Sequence, residues 1–300
     1  MKPEDYRGFR KFHSVPCKDG IRVRVIEFSP AKATAKPVLF IPGWVTRLEV
    51  MYDVIKVLLE YGFPVYYFES RDKKSSEIPE ELLQPETFTI AEQAEDLRKT
   101  IEYLAFQDRD YYLFSSSYGC LLATHLLNLN GVPFPKKAVL VVPTLEIKFS
   151  WWQKLLIRMP RVLEKPAISI VELYMRKRFA NPKEPEEHYK FKAQLYEFDL
   201  RKVQLTAIAL DRHGAQIKKF RGLEGKTLVI AASLDLLHPI ENVEQLADGM
   251  GAIFLDLLSN KFTHGELGGR IIAHFFKEEK FDPTPILQSD AKYQDFLSKE

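Results

Sequence analysis

The sequence is poor in cysteine and has no long apolar run. Two cysteines occur in 300 residues, Cys17 and Cys120, too few and too irregularly spaced for a disulfide framework or a zinc cluster. No segment has the length of a membrane-spanning helix. Residues 1–12 alternate charges with single aromatic side chains, so we expect neither a signal peptide nor a membrane anchor. Because so few cysteines fit a reducing compartment, we predict a cytoplasmic location.

An excess of charge of one sign is also missing. Lys and Arg total 43 against 41 Asp and Glu, which gives a formal net charge of +2 and no field that would indicate a nucleic-acid partner. The sequence has neither a His pair at helical spacing beside a Glu nor a phosphate-binding or dinucleotide-binding glycine loop. We therefore expect no metal, no cofactor and no nucleic-acid partner.

What the sequence does contain is a regular alternation of apolar strands and amphipathic helices. Residues 9–28 indicate an antiparallel hairpin with one solvated face. Strands without polar alternation follow at 37–41, 63–68, 111–114, 137–142, 227–232 and 252–258, with helices between most of them. Such strands are typical of a parallel sheet covered by helices on both faces. The sequence predicts an α/β fold, with a mostly parallel, doubly wound sheet after an N-terminal antiparallel hairpin.

The alternation lapses after Pro143, and helical periodicity then continues to about residue 217 without a strand-like run. This pattern predicts an inserted helical cap over the carboxyl ends of the strands, where open α/β sheets bind their ligands. We expect the first part of the core at 1–144, the cap at 145–217, the second part of the core at 218–281 and a C-terminal extension at 282–300.

The predicted cap begins with an aromatic helix that contains Trp151 and Trp152. These side chains are candidates for lining a substrate pocket. Simple packing of this helix on the core is an alternative. Contact with a membrane surface is disfavoured because the apolar run is short and its basic residues are few.

The strongest local signal is the run of three serines that ends the strand at 111–114. A nucleophile at a sharp strand-to-helix turn needs small residues two positions before and two positions after it. Ser117 has Ser115 and Gly119 at those positions, whereas Ser116 would have two aromatic residues. The spacing therefore predicts Ser117 as a catalytic nucleophile.

A serine hydroxyl needs a base to accept its proton and a third group to orient that base. His264 fits the base because it lies on a loop between a late apolar strand and a helix. His238 is the nearest rival, on the loop after the strand at 227–232, but Pro239 beside it indicates the start of a helix.

The orienting acid should follow a strand, and Asp235 lies just past the strand at 227–232. Asp256 is a weaker candidate because it interrupts a strand, and Asp211 is weaker because it falls in the insertion. Two backbone amides are candidates for stabilising a developing oxyanion. One belongs to Tyr118, directly after the nucleophile, and the other to Trp44, which follows a strand.

This chain resembles the α/β-hydrolase superfamily, over nearly its whole length apart from the cap and tail. The resemblance is carried by the elbow around Ser117, the Pro-Gly-Trp turn at 42–44 and the chain order of Ser117, Asp235 and His264. It implies an eight-stranded sheet, the roles given above and membership among esterases, lipases, thioesterases and related acyl-transfer enzymes. Three departures occur: Ser115 replaces the first elbow glycine, Pro-Gly at 42–43 replaces His-Gly, and Arg-Asp-Lys-Lys at 71–74 replaces Arg-Gly-x-Gly.

A looser similarity links the chain to the acyl-transferases of bacterial luminescence, which also lack the first elbow glycine and release fatty acyl groups from a thioester carrier. We expect a serine hydrolase that cleaves a small-molecule carboxylic ester or acyl thioester with an apolar acyl part, through an acyl-enzyme at Ser117. Two alternatives stay open: transfer of the acyl group to an acceptor other than water, and a protein that binds a ligand on this fold without turnover.

Overall fold

The computed structural model describes residues 9–144, 146–160, 169–170, 172–173, 198–213 and 223–298. Within these ranges, eight strands form one sheet in the order β1-β2-β4-β3-β5-β6-β7-β8. They are β1 (Phe9–Pro16), β2 (Arg22–Ser29), β3 (Val38–Ile41), β4 (Val65–Glu69), β5 (Tyr112–Ser116), β6 (Ala138–Val141), β7 (Thr227–Ala231) and β8 (Ile253–Asp256). The pairs β1/β2 and β2/β4 are antiparallel, and every later pair is parallel. The predicted fold class is confirmed.

Helices follow or separate most of the strands. They are α1 (Tyr52–Glu60), α2 (Ile90–Tyr103), α3 (Tyr118–Leu126), α4 (Trp151–Ile157), α5 (Leu200–Asp211), α6 (Ile240–Met250), α7 (Asn260–Thr263), α8 (Glu266–Lys277), α9 (Thr284–Ser289) and α10 (Ala291–Leu297). No helix in the described ranges is long and apolar enough to cross a membrane.

Strand β3 is apolar at every position because both of its faces are covered. In β3, Leu39 and Ile41 pack into the cluster that includes α2, α3 and α6. Val38 and Phe40 point to the opposite face, into the cluster that includes α1 and α8. All four side chains are buried, so a continuous apolar run is what this position in the sheet requires.

The parallel register brings the carboxyl ends of several strands to one edge of the sheet. Ile41 pairs with Ser115 across β3 and β5, and Ala231 pairs with Asp256 across β7 and β8. The loops that follow these strands therefore start side by side, which is where a doubly wound sheet builds its sites.

The insertion between β6 and β7 is described in part, as α4, α5 and their flanks. Leu205 and Ala209 of α5 pack against Phe88 before α2, and Lys154 of α4 lies 2.9 Å from a carboxylate oxygen of Asp211. Much of the predicted cap lies outside the described residues, so the predicted domain boundaries stay predictions.

Helices α9 and α10 pack on the core through their apolar side chains. The ring of Phe262 makes edge contacts with Tyr293 and Phe296 at centroid distances of 5.1 and 5.3 Å. The tail is thus part of the apolar core on the α1/α8 face of the sheet.

Candidate active site

Ser117 occupies a strained turn between β5 and α3. Its backbone has φ 47° and ψ −118°, a region that residues other than glycine rarely adopt. Its amide donates to the carbonyl of Val141 at 2.9 Å, which fixes the turn against β6. Strain of this kind persists only where surrounding contacts impose it, and it concentrates at functional sites.

The residues two positions before and two positions after Ser117 both lie in closely packed surroundings. A Cβ added at Gly119 would lie 2.4 Å from the carbonyl oxygen of Ile41 and 2.6 Å from that of Pro42, so only glycine fits there. Ser115 is fully buried, and its hydroxyl lies 3.3 Å from the sulfur of Cys120. Ser117 therefore lies at the tip of the turn, and Ser115 and Gly119 pack against the neighbouring chain segments.

His238 is the imidazole at Ser117. Its Nε2 lies 2.9 Å from the Ser117 hydroxyl oxygen, and its Nδ1 lies 2.7 Å from Oδ2 of Asp235. Since an ionised carboxylate can only accept, Nδ1 carries the proton and Nε2 is left to accept from the serine hydroxyl. The three side chains thus form a continuous chain from hydroxyl to imidazole to carboxylate.

The carboxylate of Asp235 is kept ionised by its hydrogen bonds. Burial raises its pKa, but bonds from His238, Asn260 and the amide of Leu237 together outweigh burial, and the pKa falls below its ordinary value. Asn260 Nδ2 donates to Oδ2 at 2.8 Å, and the Leu237 amide donates to Oδ1 at 2.8 Å.

His264 makes its contact with the neighbouring serine. Its Nε2 lies 2.9 Å from the hydroxyl oxygen of Ser116, and its Nδ1 lies 2.9 Å from Thr263 Oγ1 and 3.3 Å from the carbonyl oxygen of Asn260. Of the predicted residues, the structure thus brings Ser117 and Asp235 together through His238, and it holds His264 against Ser116.

The signal for His238 was present in the sequence as an Asp and a His three residues apart after a strand. Pro239 argues against it only if the helix includes the histidine. In the structure Pro239 is the N-cap and α6 begins at Ile240, so His238 precedes the helix and turns back over Asp235.

The loop after β3 lies against Ser117. A Cβ added at Gly43 would lie 3.5 Å from Cβ of Ser117, so the backbone of this loop approaches the serine closely. Tyr118 begins α3, and the first amides of a helix have no partner within it. Trp44 and Tyr118 thus belong to two elements that meet at Ser117, and the role of their amides as oxyanion donors stays a prediction.

The aromatic residues of the insertion divide between the site and solvent. Phe149 contacts the ring of Trp44 edge-on, with centroids 6.1 Å apart, although no sequence motif singles it out. Trp152 is half-buried, whereas Trp151 is 80% exposed. A pocket role for Trp151 and Trp152 stays a prediction, and Phe149 joins them as a candidate.

The described residues contain no group of three or more His, Cys, Asp or Glu side chains that could hold a metal ion.

Comparisons with known proteins define the class and then the family. A family model for the alpha/beta hydrolase fold matches residues 36–269. The chain therefore belongs to the α/β-hydrolase family. A comparison with curated proteins found no significant match.

Solved structures with this fold include several esterases. The chain is similar to an esterase from Exiguobacterium antarcticum, with a TM-score of 0.70 and 17% identity over 90% of this chain and 100% of that one. A thermophilic esterase from Thermogutta terrifontis has a TM-score of 0.69 and 16% identity over 97% of this chain and 98% of that one. The enol-lactonase from Burkholderia xenovorans LB400 has a TM-score of 0.69 and 16% identity over 89% of this chain and 100% of that one.

Proposed function

We propose that this protein is a serine hydrolase that cleaves a carboxylic ester or acyl thioester through an acyl-enzyme at Ser117. The observation that carries the proposal is the contact series at the elbow. The hydroxyl oxygen lies 2.9 Å from an imidazole nitrogen, and the other nitrogen of that imidazole lies 2.7 Å from a carboxylate held in its ionised form.

The reaction would begin with attack of Ser117 Oγ on the carbonyl carbon. The hydroxyl proton passes to the imidazole, and the amides of Trp44 and Tyr118 stabilise the oxyanion. The imidazolium then protonates the departing alkoxide or thiolate as the bond from carbon to the leaving group breaks. A water molecule, deprotonated by the same imidazole, then attacks the acyl carbon. The bond from that carbon to Ser117 Oγ breaks, the imidazolium returns the proton to Oγ, and the acid is released.

Two histidines are candidates for the base. The distances support His238, while the position of His264 after the last strand is where the family resemblance puts the base. We assign the base to His238, with His264 as the alternative. If His264 were the base, it would have to leave Ser116 and reach both Ser117 and Asp235.

Exchange of each histidine for glutamine separates these assignments, because glutamine keeps a polar side chain but cannot accept a proton. We expect His238→Gln to lower kcat by about 10²–10⁴-fold and His264→Gln to lower it by less than about tenfold. The reverse order would move the base to His264 and leave Ser117 as the nucleophile.

A fluorophosphonate probe tests whether the protein is a serine hydrolase. Wild type and Ser116→Ala should be labelled, and Ser117→Ala should not. The Ser116→Ala variant is the matched control, because it removes the adjacent hydroxyl from the same strand end. No labelling of wild type, together with no turnover of any ester, would favour the alternative of a binding protein.

The substrate we propose is a small molecule with an apolar acyl part. Phe149 and the face of Trp44 support an apolar wall next to the nucleophile, and the solved esterases share the fold. Nitrophenyl esters and acyl thioesters of graded chain length would define the acyl group. Added alcohols or thiols would reveal transfer to another acceptor by the products that form. The predicted cytoplasmic location also stays a proposal.

A further inference from the structure

The loop after β4 contains a buried carboxylate that the proposed reaction does not use. Asp72 is fully buried. Its Oδ2 accepts from the amide of Val45 at 3.0 Å and from Nζ of Lys73 at 2.9 Å, and its Oδ1 accepts from the hydroxyl of Ser70. Asp72 is thus hydrogen-bonded directly to the loop that contributes Trp44.

The contact with Val45 holds an unusual backbone conformation. Val45 has φ 49°, which is in the left-handed region and is a genuine outlier for a β-branched residue. Such a conformation persists only where the surroundings impose it. The acceptor that Asp72 offers to the Val45 amide is one such constraint, and it fixes the peptide on the carboxyl side of Trp44.

Lys73 fixes the peptide on the other side of Trp44. Its Nζ donates to the carbonyl oxygen of Gly43 at 3.3 Å, and the same oxygen accepts from the amide of Thr46 at 3.2 Å. In a planar trans peptide the carbonyl and the following N–H point in opposite directions. Holding the Gly43 carbonyl therefore sets the direction in which the Trp44 N–H points.

The β4 loop is itself anchored from two sides. Arg71, next to Asp72, forms a bidentate pair with Asp96 of α2 at 2.5 and 2.7 Å, and both side chains are almost fully buried. From the insertion, Nζ of Lys202 donates to the carbonyl oxygens of Lys73 at 3.2 Å and Ser76 at 2.6 Å.

Burial of the charged Lys202 side chain costs free energy, so its position indicates that specific acceptors hold it there. Burial lowers its pKa, although Asp199 and Asp72 oppose that shift. An ammonium group in such a place needs specific acceptors, and the two carbonyls of the β4 loop are acceptors of that kind. The contact links α5 to the loop after β4, which in turn contacts the loop that contains Trp44.

We propose that Asp72 and Lys73 are positioning residues that set the direction of the Trp44 amide, and that Lys202 connects this setting to helix α5. The inference rests on the proposed function, because the Trp44 amide matters only if an oxyanion forms beside Ser117. These three residues would lower the free energy of the transition state and leave the binding of the neutral substrate nearly unchanged.

The test uses Asp72→Asn, which keeps the size of the side chain, removes its charge and leaves one acceptor oxygen in place of the two that serve Val45, Lys73 and Ser70. Loss of one oxyanion donor costs about 10²–10³-fold in kcat, so a misdirected amide should lower kcat by up to about 10²-fold while KM changes by less than about threefold. An alkyl trifluoromethyl ketone, which forms a tetrahedral oxyanion on a serine, should lose affinity in parallel with kcat/KM. A role confined to folding would not produce this split.

Lys73→Met is the second variant and serves if Asp72→Asn does not fold. The Lys73 side chain is partly exposed, and its replacement leaves the Asp72 carboxylate in place. Lys202→Met tests the connection to α5. Arg201→Met is its matched control, since Arg201 lies on the same helix but bonds to Glu80 and the carbonyl of Leu83. We expect a fall in kcat of about tenfold for Lys202→Met and no change for Arg201→Met.

An unchanged kcat and unchanged ketone affinity in folded Asp72→Asn or Lys73→Met would overturn the inference and leave the proposed function intact. Equal effects of Lys202→Met and Arg201→Met would overturn the role of Lys202. A wild type that is neither labelled nor active would overturn the proposed function and the inference with it.

Discussion

Replacement of Gly119 by alanine tests the fit between the elbow and the loop after β3. The new methyl carbon would lie 2.4 Å from the Ile41 carbonyl oxygen and 2.6 Å from that of Pro42, about 1 Å inside ordinary contact distance. Both obstructing atoms belong to the backbone, so relief requires either the loop or the start of α3 to shift by a similar amount.

We expect two measurable effects of Gly119→Ala. Overpacking of this kind costs about 1–3 kcal/mol of stability, to be measured by urea unfolding. Under the proposed function, a shift of about 1 Å between Ser117 and the proposed oxyanion donors should lower kcat by about 10²-fold, to be measured with the best nitrophenyl ester. Fluorophosphonate labelling should slow by a similar factor.

Gly131→Ala provides the matched control. Gly131 has φ +79° and nothing within 4 Å of an added Cβ, so the substitution introduces backbone strain without a clash. It should cost about 1–2 kcal/mol and leave kcat unchanged. Wild-type stability and kcat in Gly119→Ala would refute the steric argument for the elbow.

Three further predictions concern stability and reactivity. Asp96→Asn leaves the buried Arg71 guanidinium without its carboxylate and should cost about 3–5 kcal/mol in urea unfolding, whereas Arg98→Met on the same helix removes partly exposed pairs and should cost under about 1 kcal/mol; equal costs would contradict this reasoning. The pKa of Asp235 is lower in the folded state than its ordinary value of about 3.9, so its ionised form stabilises the fold above that pH, and the stabilisation is lost as pH falls through the folded pKa. The difference in unfolding free energy between wild type and Asp235→Asn should therefore be larger at neutral pH than in acid, and a difference independent of pH would be inconsistent with the hydrogen bonds described. Burial raises the pKa of the Cys120 thiol to about 12, so a disulfide reagent at pH 8 should modify it only after unfolding, and rapid modification of Cys120 in the native protein would show that the helix behind the elbow opens.

The strands and helices of the core could be predicted because the positions that are buried in the fold are the positions that are apolar in the sequence. The strand predicted at 227–232 is observed at Thr227–Ala231, and the helix whose start Pro239 indicates is observed at Ile240–Met250. Boundaries were harder where a short 3-10 turn precedes a helix. Residues Leu48–Met51 continue the helical spacing, but α1 begins only at Tyr52.

The elbow could also be predicted, because its steric requirement involves residues two positions apart in the sequence. The histidine that contacts Ser117 could not be predicted in this way. His238 and His264 each hydrogen-bond a serine more than 120 residues earlier in the chain, and nothing in either loop's own pattern encodes which imidazole reaches which hydroxyl. The contact of Asp72 with Val45 likewise depends on two loops meeting at one edge of the sheet.

A serine nucleophile needs both a nearby histidine and a position at the sharp turn, and the consecutive serines at the end of β5 differ in the second of these. Each hydroxyl has an imidazole at 2.9 Å, so proximity to a histidine does not distinguish them. Only Ser117 sits at the turn, while Ser116 is the last residue of the strand. Under the proposed function, the backbone turn therefore selects which of the two alcohols reacts.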